Sequence, residues 1–430
     1  EFSAEYTEDG VKALHFESVK DIPNVPLKGI IKSKKTERTY TSAPKLYDLG
    51  AIQSEAGGRY GYSPAKTLDI IQSLYEKHKL ISYPRTQCRY VSSEKAREFP
   101  QMLGLMSVFE DLKPYVDTIK QNDIERVYKD KNVVNDKEVQ KESHDALLPS
   151  SKRPDLSKLN DDERNICHMI YARLLAQFLP KLEEDKTILI TSHGNYDFIA
   201  KGKVVINLGW RNLYGRLKDN VIPMVNEGDD IEAKKMEHKE GVTTPPKRLT
   251  QATLLNAMEH IASQINDPVL KKAMAESKGI GTPSTRASII ADIIDRGYIE
   301  NGKGGLYITN AGKRYIDSIK ELDIVSPIFA ARLDTKIKEV QRGEASYDDV
   351  YNEIVNSLKK MIRQVDGLEK KVPVVNVSCP KCGTNFHNTQ YSYSCPSCGF
   401  KISKKICGKN ISEDLLGELC DGKTSQMFTL

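Results

Sequence analysis

The sequence lacks the features that mark several classes of protein. No apolar run in its 430 residues approaches the ~20 residues that a membrane span needs. No signal peptide is visible, so a cytoplasmic location is the default expectation. The net charge of +5 is small for this length, so it permits binding of nucleic acid without requiring it. The eight cysteines, half of them in one cluster, favour a metal site in a reducing compartment over a disulfide framework.

A well-signalled helix leads into a short extended run. Ser63 is a suitable N-cap, and Pro64 suits the first helical position, where a missing N–H costs nothing. Apolar residues then recur at the spacing of a buried helical stripe, at Leu68, Ile71, Leu74 and Tyr75. The β-like run 80–83 ends at Pro84, which cannot donate to a ladder. Tyr83 is therefore expected where a strand breaks into a loop.

The phenol of Tyr83 is close in sequence to two arginines, Arg85 and Arg89. A tyrosine hydroxyl has an intrinsic pKa of about 10, so as a nucleophile it needs positive charge or a base nearby. A guanidinium can also hold a phosphate bidentately and offset the charge that develops on its oxygens. These residues suit attack on a phosphodiester, although a tyrosine beside proline at a strand end is more often a packing residue.

Residues 83–90 resemble the active-site segment of type IA DNA topoisomerases, in the topoisomerase III branch. A second motif of that family follows in the same order. Residues 143–149 are similar to its His-x-Ala-Ile-x-Pro element, with Leu147 in place of the usual isoleucine. The resemblance implies that His144 lies near the tyrosine and contacts a DNA phosphate. Taken alone, a histidine before an aspartate is more often a surface or capping residue.

Residues 279–286, Gly-Ile-Gly-Thr-Pro-Ser-Thr-Arg, match a third motif, which lines the DNA gate of the family. The glycines allow close backbone approach, and Ser284 or Thr285 can cap the following helix. With Arg286 and the helix N–H groups, these hydroxyls form a predicted phosphate site. The sequence then predicts a hairpin through residues 301–305, and the order helix, helix, hairpin indicates a winged helix. A plain structural turn is the alternative.

The length predicts roughly two to four domains, and the resemblance assigns them. The expected fold is multidomain α+β, a type IA topoisomerase-like toroid fragment with a C-terminal four-cysteine zinc ribbon. A strand-rich arch is assigned to residues 1–43 and 158–244, and a helical catalytic-tyrosine domain to residues 44–157. A winged-helix-like DNA-gate domain is assigned to residues 245–368, and the ribbon with the start of a C-terminal repeat to residues 374–430. The charge-dense segment 121–142 is predicted as an exposed loop.

Two Cys-x-x-Cys pairs near the end form a strong metal-binding pattern, made by Cys379, Cys382, Cys395 and Cys398. Two such turns place four thiolates about 2.3 Å from one ion in a closed tetrahedral shell. A closed shell predicts structural zinc, with iron as the main rival, whereas redox chemistry would need only one pair. Tyr391 and Tyr393, between the pairs, either form the small core of the module or stack on single-stranded bases.

The resemblance implies an ATP-independent enzyme that breaks one DNA strand through a 5′-phosphotyrosine at Tyr83, passes DNA and rejoins the strand. Arg85 is implied to stabilise the transition state. Single-stranded and duplex DNA are the implied partners, a helicase is left open as another, and no membrane is expected. The residues implied to bind DNA are Arg89, His144, Ser284, Thr285 and Arg286.

One departure from the family is clear in the sequence. The Mg²⁺-binding motif of the family, Asp-x-Asp-x-Glu, and its catalytic glutamate belong to an N-terminal TOPRIM domain, and no Asp-x-Asp-x-Glu occurs here. The sequence begins at Glu1 rather than Met, so a fragment without that domain is expected. The chain alone is therefore expected to bind DNA and to cleave it poorly. The alternative is a non-catalytic DNA-binding scaffold with a structural zinc ribbon.

Overall fold

The computed structural model describes residues 2–8, 10, 16–215, 217–242, 244–266, 268–276, 279–320, 322, 325–366, 374–389, 391–406 and 408–423. The chain divides into two compact units, Glu1–Lys247 and Arg248–Leu430. Both units combine helices with antiparallel strands, so the predicted α+β class is confirmed. None of the helices in the described residues combines the length and apolar character needed to cross a membrane.

A five-stranded antiparallel sheet forms one part of the first unit, in the order β1-β4-β3-β2-β5. Its strands are β1 (Glu5–Thr7), β2 (Lys28–Thr41), β3 (Leu182–His193), β4 (Tyr196–Asn207) and β5 (Asp230–Glu232). The long pairing of β2 with β3 joins strands from before and after the helical part of this unit. The sheet is therefore built from two separated stretches of chain. Short 3₁₀ helices lie at Val19–Asp21, Leu156–Lys158 and Gly209–Tyr214.

Eight helices lie between β2 and β3. They are α1 (Leu49–Tyr60), α2 (Pro64–Glu76), α3 (Ser93–Ala96), α4 (Phe99–Met106), α5 (Lys113–Val116), α6 (Gln121–Lys129), α7 (Asp136–Glu142) and α8 (Asp161–Phe178). The helix α8 is buried on nearly all sides and packs against α2, α4 and α6 in one core. The predicted boundary at residue 158 is therefore corrected, because α8 packs with the tyrosine-bearing helices and the sheet resumes only at β3.

The predicted exposed loop at residues 121–142 is also wrong, since this segment contains α6 and α7. Val127 on α6 is buried, and Ile124, one turn earlier, packs against the helical core. The side chain of Asn135 accepts a hydrogen bond from the Glu138 N–H and so caps α7. Two apolar residues at helical spacing were enough to hold a charged segment on the core.

The second unit begins with helices and a hairpin. The elements are α9 (Gln251–Glu259), α10 (Pro268–Glu276), α11 (Pro283–Asp295), β6 (Ile299–Gly302), β7 (Gly305–Ile308), α12 (Asn310–Ile319), α13 (Pro327–Gln341) and α14 (Tyr347–Asp366), with a 3₁₀ helix at Ile261–Gln264. The helix α11 packs against α9 and against β6 of the hairpin. This order of helices and hairpin matches the predicted winged helix.

The C-terminal module of this unit is a small β structure. Strands β8 (Val374–Ser378), β9 (Asn385–Asn388), β10 (Ser392–Ser394) and β11 (Lys401–Ser403) form a sheet in the order β11-β10-β9-β8, followed by a β12–β13 pair (Lys405–Ile406, Lys409–Asn410) and α15 (Glu413–Cys420). Tyr393 is buried in the core of the module and donates to the Ile411 carbonyl, whereas Tyr391 is 76% exposed. The linker that leads to this module, residues 369–373, lies outside the described residues.

Candidate active site and metal centre

The helix α2 carries the chain to Tyr83. Its N-terminus forms as predicted, because the Ser63 side chain accepts from the Lys66 N–H and Pro64 is the first helical residue. After α2 the chain turns at Lys79, a non-glycine residue in the left-handed region with φ +61°. A non-glycine residue in this region costs energy, so the turn depends on the contacts around it. One such contact is the Ser150 hydroxyl, which donates to the Lys79 carbonyl at 2.6 Å.

A short antiparallel pairing brings the first two sequence motifs together. The Ser82 N–H donates to the Leu148 carbonyl at 2.9 Å, and the Ser150 N–H donates to the Leu80 carbonyl at 2.8 Å. Between these hydrogen bonds, Ile81 and Pro149 form an isolated bridge. The predicted β-like run 80–83 is thus a single antiparallel bridge flanked by two hydrogen bonds, and not a full strand. It aligns the residues just before Tyr83 with the residues just after His144.

The Tyr83 ring lies beside two aromatic rings. Its side chain is 39% exposed, and its ring centroid is 4.6 Å from the His144 imidazole at an interplanar angle of 37°. The Tyr75 ring meets it edge-on at 5.8 Å. The phenol therefore lies at the surface, supported by rings, and is not a packing residue inside a core. The apolar spacing of α2 predicts a buried position for Tyr75, and only the three-dimensional structure reveals its contact with Tyr83.

The two nearby arginines differ in environment. Arg85 is exposed and has no hydrogen-bond or ion-pair partner among the described residues, so its guanidinium is accessible. Arg89 is half-buried, and its Nε donates to the Leu46 carbonyl at 3.0 Å. One guanidinium edge of Arg89 therefore anchors the loop. Arg85 is the more accessible of the two for an anion.

The glycine-rich motif 279–286 lies at the start of α11. Gly279 has φ +93°, and a Cβ there would lie 2.3 Å from the Met258 carbonyl, so glycine is required for this close approach to α9. The predicted cap is corrected, because Thr282 is the N-cap and shares hydrogen bonds with the hydroxyls of Ser284 and Thr285 at 2.9 and 3.0 Å. Thr285 is exposed and Ser284 is half-buried.

Arg286 does not face solvent as the predicted phosphate site requires. It is only 2% exposed, its Nε donates to the Ile280 carbonyl at 2.9 Å, and its guanidinium lies 3.7 Å from Glu259. The side chain therefore supports the loop from within. Its direct contact with a phosphate is at odds with this burial, and the first turn of α11 leaves the hydroxyls at the surface.

The four cysteines of the C-terminal module converge. Their sulfur atoms all lie within 4.8 Å of one another, with 3.6 Å between Cys379 and Cys398 and 3.3 Å between Cys382 and Cys395. In a tetrahedral zinc site with bonds of about 2.3 Å, the sulfur atoms are separated by about 3.8 Å. The arrangement therefore fits one metal ion with four thiolate ligands.

The two cysteine turns have the same backbone form, which explains their convergence. The Gly383 N–H donates to the Cys379 carbonyl, and the Gly399 N–H donates to the Cys395 carbonyl in the matching position. Among the described residues, this cluster is the one group with three or more candidate metal ligands close together.

The sequence is similar to DNA topoisomerases along most of its length. A protein-family model described as DNA topoisomerase matches residues 10–352. DNA topoisomerase 3 of Bacillus subtilis is 32% identical over 368 residues, which cover 82% of this chain and 50% of that protein. DNA topoisomerase 3 of Bacillus cereus is 31% identical over 365 residues, which cover 81% and 49%. The chain belongs to the type IA DNA topoisomerase family, in its topoisomerase III-like branch.

Solved structures agree with the type IA topoisomerase assignment at the level of fold. The structure of full-length topoisomerase I from Thermotoga maritima matches with a TM-score of 0.63 and 23% identity, over 95% of this chain and 65% of that one. The chain spans about half the length of the curated topoisomerases it matches. The cysteine cluster lies beyond the residues that the family model matches, so the metal centre is assigned from its own geometry.

Proposed function

We propose that this chain carries the strand-breaking tyrosine of a type IA DNA topoisomerase. The observation that carries the proposal is the accessible Tyr83 phenol beside His144, within motifs that resemble those of the family. The Tyr83 oxygen forms a bond to the phosphorus of a DNA phosphodiester, and the bond from phosphorus to the 3′ oxygen breaks. The phenol loses its proton, and the 3′ oxygen leaves as a hydroxyl group.

The proposed intermediate joins Tyr83 to the 5′-phosphate of the broken strand. Single-stranded or duplex DNA passes through the break, and the 3′-hydroxyl then attacks the phosphotyrosine and restores the strand. No ATP is needed, because the phosphotyrosine link conserves the energy of the original phosphodiester.

The surrounding residues have proposed roles that follow from their accessibility. Arg85 stabilises charge on the oxygens of the transferred phosphoryl group. His144 and the free edge of Arg89 hold DNA by its phosphates, and Ser284 and Thr285 offer hydroxyls at the start of α11. Arg286 acts only indirectly, by holding the loop before α11 through the Ile280 carbonyl. Binding of this kind tolerates many sequences and weakens as salt concentration rises.

The chain alone is proposed to bind DNA and to cleave it poorly, because the sequence contains no Asp-x-Asp-x-Glu motif to hold Mg²⁺. Incubation with supercoiled plasmid and Mg²⁺ tests this directly. We expect a gel shift that weakens with salt and no relaxed plasmid. Clean relaxation by the isolated chain would show that its own residues supply everything the reaction needs.

Replacement of Tyr83 distinguishes an enzyme from a non-catalytic scaffold. The scaffold is the second candidate because the sequence contains no Asp-x-Asp-x-Glu motif. In a version extended to the length of the relatives, Tyr83→Phe should abolish the covalent protein–DNA adduct on denaturing gels, because phenylalanine has no nucleophilic oxygen. Tyr60→Phe is a matched control, since Tyr60 is 37% exposed in the same unit and should leave the adduct unchanged. An adduct that survives Tyr83→Phe would exclude Tyr83 and favour the scaffold.

The metal of the cysteine cluster is proposed to be structural zinc. Four thiolates fill a tetrahedral shell, which leaves no open position for substrate, and iron is the main rival for the same ligands. The ion would be held by Cys379, Cys382, Cys395 and Cys398. A helicase partner and a cytoplasmic location stay predictions.

A further inference from the structure

The hydroxyl of Ser82, the residue before Tyr83, makes an unusual pair of hydrogen bonds. It donates to the Ala146 carbonyl at 3.1 Å and accepts from the Leu148 N–H at 3.0 Å. In a regular antiparallel ladder, the Leu148 N–H would bond to the main-chain carbonyl of its partner. Here the side-chain oxygen takes the place of that carbonyl. The ladder therefore ends at Ser82, and the chain can turn outward at Tyr83.

The same hydroxyl touches the chain that presents His144. Residues 144, 146 and 148 belong to one short segment that follows α7. Ser82 bonds to the main chain of the latter two of these positions. Ser82 therefore connects the residue before Tyr83 to main-chain groups two and four residues after His144.

The chemistry of this position is specific. Ala146 and Leu148 are fully buried, so the carbonyl of one and the N–H of the other have no access to water. Removing the hydroxyl would leave both buried groups without a hydrogen-bond partner, which is unfavourable. The segment would shift to find other partners, and that shift would move His144 relative to Tyr83. Threonine retains the hydroxyl and suits an extended backbone.

We propose that Ser82 is a positioning residue that sets the placement of the Tyr83 phenol against the His144 imidazole. The proposal rests on the proposed function of Tyr83 for its catalytic meaning, but its structural content is independent of that function. Ser82 does not touch the reacting atoms. It acts through the two segments that it joins.

Ser150 offers a matched control at the other end of the same pairing. Its hydroxyl also joins two main-chain groups, the Lys79 carbonyl at 2.6 Å and the Lys152 N–H at 3.2 Å. Ser150→Ala should therefore remove a hydroxyl from the same pairing at a smaller cost than Ser82→Ala, because the groups that Ser150 joins are exposed. Because Ser150 lies on the side away from Tyr83 and His144, it should leave their contact in place.

The test is nuclear magnetic resonance of the full chain with ¹³C-labelled tyrosine and histidine. The wild type, Ser82→Thr and Ser150→Ala should show nuclear Overhauser effects between the Tyr83 and His144 rings, and Ser82→Ala should lose them. Tyr83→Phe and His144→Gln assign the resonances. Intact ring contacts in folded Ser82→Ala would overturn the proposal. If Ser82→Ala does not fold, Ser82→Cys, which keeps the size and weakens the hydrogen bonds, decides by the same criterion.

A second measurement separates this proposal from the function of Tyr83. In the extended protein, Ser82→Ala should slow covalent adduct formation at least about tenfold, because misplacement of about 1 Å can lower a rate ~100-fold. Ser82→Thr should restore the rate. If Tyr83→Phe still forms the adduct, the proposed function fails, while the ring contacts still decide the role of Ser82. Equal rates for Ser82→Ala and wild type would refute the positioning role.

Discussion

Glu163, a buried carboxylate at the start of α8, fixes the end of α2 from which the chain runs to Tyr83. It accepts hydrogen bonds from the Ser73 hydroxyl at 2.6 Å, the Asn160 N–H at 3.0 Å and His78 Nε2 at 3.2 Å. Burial alone would raise the pKa of Glu163, but these donors hold it below its usual value. The folded chain therefore favours the charged form of this residue.

Replacement of Glu163 by glutamine should make the stability of the first unit less dependent on pH. A lowered folded-state pKa means that the carboxylate stabilises the fold above its unfolded-state pKa and loses this effect as pH falls through the folded-state pKa. At neutral pH, Glu163→Gln should lower the free energy of unfolding by about 1–3 kcal/mol. Denaturant titrations should show this difference shrinking as the pH falls below the ordinary pKa of a glutamate. A difference that stays constant with pH would argue against a charged Glu163.

At the same scale, the sequence motifs located some site residues and not others. Tyr83 and His144 stand in recognisable segments, and the structure brings them together, while their chemical roles stay predictions. Ser82 and Tyr75 carry no such signal, because their importance depends on which partner lies opposite. The prediction for Arg286 is at odds with its burial. An arginine on the first turn of a helix suggests an anion site, but this side chain is buried.

Among the elements, helices with strong N-caps and several apolar residues on one face could be predicted, whereas helices with few apolar residues could not. The start of α2 follows from Ser63 and Pro64. The helix α6 was missed because its charges hide two apolar residues at helical spacing. The pairing beside Tyr83 could not be foreseen either, because a bridge of one residue leaves no periodic pattern. The ribbon was foreseeable because metal ligands fix their own spacing.

Metal removal should unfold the C-terminal module without changing the first unit. Its core is small, so its fold should depend on the ion that the four cysteines are proposed to hold. Elemental analysis should find about one zinc ion per chain, and Cys382→Ser should lower this content, because three thiolates bind more weakly than four. Cys420→Ser is the control, since Cys420 packs on the same module outside the cluster and should retain the metal. Full zinc content in Cys382→Ser would remove that cysteine from the ligand set.

At the scale of the whole second unit, the cysteine module contacts the helices that precede it. Arg314 on α12 forms a two-fold ion pair with Glu413 at the start of α15, and Asn388 on β9 donates to the same carboxylate at 2.9 Å. Glu413 is largely buried there. Family resemblance predicted both modules but gave no sign of this contact, because it joins residues that no local pattern relates.

Reversal of the charge at Arg314 should loosen this contact. Arg314→Glu should increase amide hydrogen exchange in α12 and α15, and the added change Glu413→Arg should restore part of the protection, because directly paired residues couple by about 0.5–3 kcal/mol. Arg296→Glu is the control, since Arg296 at the end of α11 pairs with Asp292 of the same helix and both side chains are exposed. Equal exchange in wild type and Arg314→Glu would mean that the ion pair does not hold the two modules together.

The helices α3 to α7 form an excursion between the paired residues that precede Tyr83 and the segment that begins at His144. Both ends of this excursion are held by the pairing around Ile81 and Pro149. The entropy of closing a chain grows only slowly with its length, by about 0.6 kcal/mol for each doubling. A change in the length of this excursion should therefore cost the pairing at its base little free energy.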